Sequence, residues 1–300
     1  MEKRFAIAMD VGGSHITSAI VDLSEMKVFE ESMFKVSFNS NLPTAEVMDY
    51  WENAIRTLLE KSEVGKLSGI ALAVPGPFDY EDGTCWIKDQ DKYNHFYGLN
   101  IKDLLRERFD FDANFPIVFE NDAKSFGKGE VYKNMENLPK NVLAITLGTG
   151  LGACFIENGK IVNTGSTVPK NGEIWNLPYK NGMAEDAVSL RGLLSNYQNL
   201  SGILASNGLE LYTLAVKGNQ KALEAFNLFG EDLAEIILPW IKSFDANMLV
   251  IGGKVANAGD LFLNSFKEKA KQSGIEIELL LSTDNETTAL LGAASLLYKA

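Results

Sequence analysis

A chain of 300 residues has room for one large domain or two joined ones. Its 46% hydrophobic and 23% charged residues are the composition of an ordinary folded globule. The net charge of −12 argues against a nucleic-acid partner, because phosphate contacts need a surplus of Lys and Arg. Two cysteines and two histidines (Cys85, Cys154, His15 and His95) show no metal-ligand spacing and no disulfide framework, which fits a reducing compartment. The five apolar residues before Asp10 are too few for a signal peptide, and no run of about 18 apolar residues occurs. The expectation is a soluble, cytoplasmic protein with neither a membrane nor a nucleic-acid partner.

In chain order, residues 5–9 predict a buried strand that stops at Asp10-Val11-Gly12-Gly13-Ser14, and residues 16–22 predict a second strand. Thr44 is placed to cap a helix whose apolar residues Val47, Trp51, Ile55 and Leu58 recur every three or four positions. Strands follow at 69–74 and 117–120. Residues 142–147 form another apolar run, which stops at Gly148-Thr149-Gly150 and continues as a strand at 153–157. Asn158-Gly159 then predicts a hairpin into Ile161-Val162. A helix is expected after Glu185, with Ala187, Leu190, Leu194 and Tyr197 on one side. From Lys221 a longer one carries Leu223, Phe226, Leu233, Ile237, Trp240 and Phe244, with Pro239 expected to kink or break it. Residues 248–251 predict a strand, Gly252-Gly253 a turn, a helix starts near Gly259, and 275–281 is the last strand.

Strand, glycine turn, strand occurs twice, so the chain reads as two similarly built α/β halves. With no linker or low-complexity segment, we expect an N-terminal domain of residues 1–122, completed by a C-terminal helix at 287–300, and a C-terminal domain of 123–286. A ligand is expected in the cleft between the two.

Each glycine turn has two readings. It either makes a hairpin or brings backbone N–H groups up to an anion, with Ser14 and Thr149 adding hydroxyls. Neither turn has the P-loop or dinucleotide-binding spacing. The Gly252-Gly253 turn is either a plain strand-to-helix connection or a nucleotide seat. Asp10 either caps the turn or orients Mg²⁺, which takes one or two carboxylates along with phosphates and water; its place beside a phosphate-like turn points to magnesium. Asn121 and Asp122 end a strand, where ligands of open α/β sheets bind. Asp122 could take a proton from a hydroxyl that Asn121 fixes, or the pair could cap the next helix. Glu173 and Glu185 lie in polar loops and, taken alone, read as solvated. Trp86, Tyr93 and Trp175 either stack on a sugar or belong to the core, and His95 lines a pocket or sits in a surface loop.

Six motifs in order carry a resemblance that spans essentially the whole chain: Asp10-Val-Gly-Gly-Ser14, Pro75-Gly-Pro-Phe-Asp79, Glu120-Asn-Asp-Ala123, Leu147-Gly-Thr-Gly-Leu-Gly152, Gly172-Glu173 and Ile251-Gly-Gly253. Together they resemble the ROK (repressor, open reading frame, kinase) sugar kinases of the actin-like ATPase superfamily. The resemblance implies two ribonuclease-H-like domains, ATP and Mg²⁺, a homodimer, and phosphoryl transfer to a hydroxyl of a hexose or hexose derivative. It implies that Asp122 is the general base and that Asn121, Glu173, Asn176 and Glu185 join it in holding the sugar. Gly12, Gly13, Ser14, His15, Gly148, Thr149, Gly150, Gly252 and Gly253 would lie along the nucleotide, with Asp10 on Mg²⁺ through water.

Three departures stand out. Asn176 occupies the position of the His in the family's Gly-Glu-X-Gly-His segment, and residues 177–185 lack the cysteines of its zinc loop, so no zinc is expected. Packing of Trp175 and Tyr179 must then shape the loop. His15 replaces the Lys often found after the first turn, and a neutral His brings less positive charge to phosphates. Two other classes compete with a kinase: a sugar- or nucleotide-sensing regulator, and an actin- or chaperone-like ATPase. Phe5 opens the first strand, which leaves no room before it for a repressor's helix-turn-helix. An ATPase has no need of the Asn121-Asp122 and Glu173/Glu185 set.

Overall fold

The computed structural model describes residues 4–61, 67–88, 90, 92–134, 138–282 and 284–298. It divides into two compact units, Met1–Asn134 with Glu286–Ala300, and Met135–Asn285.

The first unit contains β1 (Phe5–Val11), β2 (His15–Asp22), β3 (Lys27–Val28), β4 (Phe34–Ser37), β5 (Leu67–Val74), the short pair β6 (Phe78–Asp79) and β7 (Thr84–Cys85), and β8 (Ile117–Asn121). Its helices are α1 (Thr44–Lys61), α2 (Ile101–Phe109) and α3 (Asp122–Lys133). The main sheet has the order β3-β2-β1-β5-β8, with β4 beside β2; β1 is antiparallel to β2 and parallel to β5. β1 is apolar from Phe5 to Met9 because both its faces are covered. Ile7, Met9 and Val11 pack with Val47, Trp51, Ile55 and Leu58 of α1. Ala6 and Ala8, with Ala71 and Ala73 of β5, face Leu290, Ala293 and Ala294 of the C-terminal helix. Alanines on that face let the helix lie close to the sheet.

The second unit contains β9 (Asn141–Leu147), β10 (Leu151–Glu157), β11 (Lys160–Val162), the two-residue pair β12 (Pro178–Tyr179) and β13 (Gly182–Met183), β14 (Met248–Gly252) and β15 (Glu278–Leu281). Its helices are α4 (Ala184–Ala187), α5 (Leu190–Ser201), α6 (Gly208–Val216), α7 (Gln220–Phe244) and α8 (Gly259–Gln272). Its sheet runs β11-β10-β9-β14-β15, with the first three strands antiparallel and the last two parallel to β9. Counting in chain order only the five strands of each path, both sheets follow the order 3-2-1-4-5, so the repeated strand-turn-strand pattern is a duplicated topology. The Asn158-Gly159 hairpin forms with both residues at positive φ, +50° and +75°, as a two-residue turn of this kind requires. Among the described residues no helix is long and apolar enough to cross a membrane.

Several expectations need correcting. α7 runs unbroken for 25 residues through Pro239. The cost of an interior proline, about 3 kcal/mol, is outweighed by the buried stripe of Phe226, Phe229, Leu233, Ile237, Ile241 and Phe244. The helix after Glu185 is two helices, because Ser189 leaves helical geometry and its hydroxyl accepts from the Gly192 N–H at the start of α5. Residues 275–277 belong to no strand: Gly274 turns the chain at φ +66°, and the Ile275 N–H still bonds back to the Ala270 carbonyl. A 3₁₀ segment, Lys254–Ala258, separates the Gly252-Gly253 turn from α8. The Thr44 hydroxyl donates to the His95 carbonyl at 2.8 Å instead of capping α1.

The unit boundary lies after Asn134, not at 122/123, because α3 packs in the first unit against the C-terminal helix Asn285–Ala294. The crossing is backbone on backbone. A Cβ on Gly129 would sit 1.8 Å from the Thr288 carbonyl oxygen, and one on Gly292 would sit 1.7 Å from that of Ser125. The Thr288 hydroxyl donates to the buried Glu130 carboxylate there at 3.2 Å. Gly292→Val should force the two helices apart and lower the stability of the chain by at least ~1–3 kcal/mol, the usual cost of overpacking. Urea denaturation of the purified chain measures it, and an unchanged midpoint would contradict this packing.

Candidate active site

In the first unit the sequence-predicted residues gather where β1 and β8 end. Gly12 donates its N–H to the His15 carbonyl at 2.9 Å, which closes the turn. The Gly12 carbonyl accepts from the Tyr93 hydroxyl at 2.7 Å. Tyr93 is a core residue, with its ring among Phe38, Trp51 and Phe96 and its backbone at φ +53°. Burial pushes its hydroxyl well above the ordinary phenol range. The His15 ring lies over Gly12, where a Cβ would come within 3.0 Å of Cε1, and Nδ1 is 3.5 Å from the Ser14 hydroxyl. Asp10, half-buried at the end of β1, pairs through its backbone with Thr17 and Ala73.

Asn121 caps α3. Its Oδ1 accepts from the N–H groups of Ala123 and Lys124 at 3.0 and 3.2 Å, while Nδ2 donates to the Tyr80 hydroxyl at 3.1 Å. The cap therefore holds the amide in place at the strand mouth, and capping and substrate binding are not exclusive. Asp122 is the first residue of α3, and its Oδ1 accepts from the Ala123 N–H at 2.8 Å. Burial pushes its carboxyl above the ordinary carboxylate value, while the positive charge of Lys92 and backbone N–H groups pull it partly back. Lys92 was not singled out by the sequence, which gives no pattern for it.

In the second unit the other residues meet on β9 and β14. Leu190 donates to the Gly148 carbonyl at 2.8 Å, and no atom stands within 4 Å of where a Cβ on Gly148 would be, so its backbone is open to approach. Gly253, at φ +90°, lies against β9, and a Cβ there would fall 2.2 Å from the Leu147 carbonyl oxygen. The Gly253 N–H donates to Asn285 Oδ1 at 3.0 Å, and Gly252 pairs with Thr146. Glu185 reaches the same turn: its Oε2 accepts from the Leu151 N–H at 3.0 Å and lies 2.5 Å from where a Cβ on Gly150 would be. Gly148, Thr149, Gly150, Gly252, Gly253 and Glu185 are thus brought together.

Glu173 is half-buried and Asn176 is exposed, in a loop that Glu185 closes by donating its N–H to the Trp175 carbonyl at 3.0 Å. Ala184 donates to the Leu177 carbonyl at 2.8 Å, and Tyr179 pairs with Gly182. Trp175 and Tyr179 pack against the unit's core. A second anchor was missed in the sequence. The Tyr179 hydroxyl lies 2.9 Å from Asp232 Oδ1 and 2.8 Å from Glu235 Oε2, and Lys180 Nζ lies 2.6 Å from the same Asp232 oxygen. Burial and then the two carboxylates push the Tyr179 hydroxyl far up, so it stays protonated. The available signal was an acid, Asp232, set inside the apolar stripe of α7. Of the other aromatic candidates, Trp86 is exposed and stacks edge-on with Tyr97. His95 is exposed.

Among the described residues no three His, Cys, Asp or Glu side chains gather to hold a metal by themselves. A single carboxylate such as Asp10 is nonetheless a sufficient protein share for Mg²⁺, which takes its remaining ligands from phosphates and water.

The sequence model of the ROK family matches residues 6–300, and the chain belongs to the ROK family. It is 29% identical over 279 residues to the N-acetyl-D-glucosamine kinase of Haemophilus influenzae, covering 85% of each chain. It is 21% identical over 305 residues to the xylose repressor of Bacillus subtilis, covering 97% of this chain and 76% of the repressor. The crystal structure of a ROK family glucokinase from Streptomyces griseus, in complex with glucose and AMPPNP, superposes with a TM-score of 0.76 at 21% identity, covering 97% of this chain and 98% of that one. The two units are therefore α/β domains of the actin-like ATPase type.

Removing the second loop anchor with Asp232→Asn should leave the global fold in place and free residues 174–185. Their amide exchange should speed up about tenfold, as for the loss of a charged hydrogen bond worth ~1.5 kcal/mol. Hydrogen-exchange mass spectrometry reads it, and unchanged exchange would mean that apolar packing alone holds the loop.

Proposed function

We propose that the chain is an ATP-dependent kinase that phosphorylates a hydroxyl of a hexose or hexose derivative, with Asp122 as the general base. The observation that carries this is the placement of Asp122. It is a half-buried carboxylate at the mouth of β8, on the first turn of a capped helix, with its carboxyl raised above the ordinary carboxylate value, toward the range in which a base is effective. The kinases among the relatives, one of them named for N-acetyl-D-glucosamine, support the same reading.

Asp122 takes the proton of the acceptor hydroxyl, and Asn121, pinned by Tyr80 and its cap bonds, orients that hydroxyl. The Gly12-Gly13-Ser14 and Gly148-Thr149-Gly150 turns offer N–H and hydroxyl donors to phosphate oxygens, His15 borders the first of them, and Gly252-Gly253 borders the nucleotide. Glu173, Asn176 and Glu185 contribute the remaining polar contacts to the sugar. Mg²⁺, oriented by Asp10 through water, would neutralise charge on the phosphates. A cytoplasmic location and a homodimer belong to the same proposal and rest on the family alone.

An ADP-release assay with Mg-ATP against glucose, mannose, fructose, allose, N-acetylglucosamine and N-acetylmannosamine tests the reading. Turnover with one sugar is expected, with Asp122→Asn lowering kcat by about 10²–10⁴-fold. Silence across the panel in protein that binds ATP would favour a sugar-sensing regulator, and one relative is named a xylose repressor. The pH profile gives a second check. A base works deprotonated, and the Asp122 carboxyl is raised, so the acidic limb of kcat/KM should fall above the usual carboxylate range. A limb at or below that range would remove Asp122 from the role.

A further inference from the structure

We propose that Lys92 is a catalytic cation of this enzyme, whose ammonium contacts the phosphoryl group as it passes between nucleotide and acceptor beside the Gly12-Gly13 turn. The proposal rests on the kinase reading above and names a residue that reading does not contain.

Geometry ties Lys92 to the turn in two ways. Its side chain lies along Gly13: from where a Cβ on that glycine would be, Lys92 Cβ is 3.5 Å away and Cδ is 3.6 Å away. The aliphatic stem thus runs within van der Waals reach of the turn at Gly13. The next residue, Tyr93, is locked to the turn by its 2.7 Å hydrogen bond to the Gly12 carbonyl and by its buried ring. Lys92 is therefore the chain neighbour of a residue anchored to the turn. It is half-buried, unlike most lysines of the chain's surface.

The charge reaches the other side as well. Lys92 acts on Asp122 as the largest influence opposing burial, holding that carboxyl lower than burial alone would. One lysine thus lies along the turn assigned to phosphates and bears electrostatically on the carboxylate assigned to the hydroxyl proton. Gly12, Gly13 and Ser14 carry no charge, and the ring over Gly12 is an imidazole, which is uncharged in its neutral form. Lys92 brings an ammonium to a turn whose own residues are two glycines, a serine and an imidazole.

In the reaction, Asp122 accepts the hydroxyl proton and the freed electron pair on oxygen forms the new bond to the γ-phosphorus. The bond from that phosphorus to the bridging oxygen breaks, and its electrons leave on ADP. Lys92 donates N–H to the oxygens of the transferring group, where charge is spread in the transition state, and takes no part in the proton transfer.

The experiment compares wild type with Lys92→Met, Lys92→Gln and Lys92→Arg. Calorimetry gives the affinities for ADP and for AMPPNP, each with Mg²⁺, and steady-state kinetics gives kcat and KM. Lys92→Met and Lys92→Gln should bind ADP like wild type but AMPPNP about tenfold more weakly, and kcat should fall ~10²-fold, as when one transition-state donor is removed. The sugar KM should hold, and Lys92→Arg should recover part of both losses. Removing the cation raises the Asp122 carboxyl, so the acidic limb of kcat/KM should move to higher pH in Lys92→Met and return in Lys92→Arg. Wild-type AMPPNP affinity in folded Lys92→Met or Lys92→Gln overturns the proposal, whatever the sugar assay gives. A wild type that favours AMPPNP through Lys92 yet phosphorylates no sugar overturns the sugar-kinase reading and leaves the contact standing. A wild type that binds no AMPPNP overturns both.

Discussion

Where α3 crosses the C-terminal helix, two glycines let one backbone rest on the other, and the placement of the proposed base depends on that contact. Asp122 opens α3, so the depth to which α3 sinks against Gly292 sets where the carboxylate stands relative to the end of β8. Alanines on β1 and β5 extend the same close packing across the sheet. A helix held this closely has little freedom to slide, because protein interiors at crystalline density respond to added volume by shifting as a block. The site is thus positioned by main chain more than by side-chain contacts.

Much of the fold was legible because its period is plain. The run 5–9 is apolar on every residue and 142–147 on every residue but Thr146, as a strand covered on both faces requires, and Asn158-Gly159 specifies its own turn. What failed to show were effects of context. Pro239 breaks a helix by local rules, yet burial along α7 overrides them. Ser189 interrupts a helical pattern that the apolar residues alone would continue. The unit boundary could not be seen at Asp122, since nothing local in α3 says that its partner lies more than 150 residues further on. At the site, Asp122 and Asn121 were legible from the strand end they share, and the glycine turns from their repetition. Lys92 and Asp232 were not, for a lysine in a polar-aromatic segment and an acid on a helix carry meaning only once their neighbours are known.

The loop that carries Glu173 and Glu185 shows how a polar cluster can hold a segment that has no cysteines. A tyrosine hydroxyl, a lysine and two carboxylates meet on the flank of α7, with Asp232 buried and the lysine reaching it from solvent. Such a cluster is directional, because each donor has few acceptors in reach, so it fixes the loop's register as well as its closeness. The same loop sends Glu185 to the Gly148–Gly150 turn, so the segment assigned to sugar and the turn assigned to phosphate share a hydrogen bond within one unit.

Completing the first sheet with a helix from the far end of the chain also orders events in time. As the polypeptide leaves the ribosome, residues 1–134 emerge first but lack the cover over Ala6, Ala8, Ala71 and Ala73, whereas residues 135–285 have all their strands before the last segment appears. The later unit can reach its native state while the earlier one still exposes an apolar sheet face. The helix that opens with Asp122 can therefore settle only after the last segment arrives, and a nascent chain that stops before residue 286 lacks the cover of its first sheet.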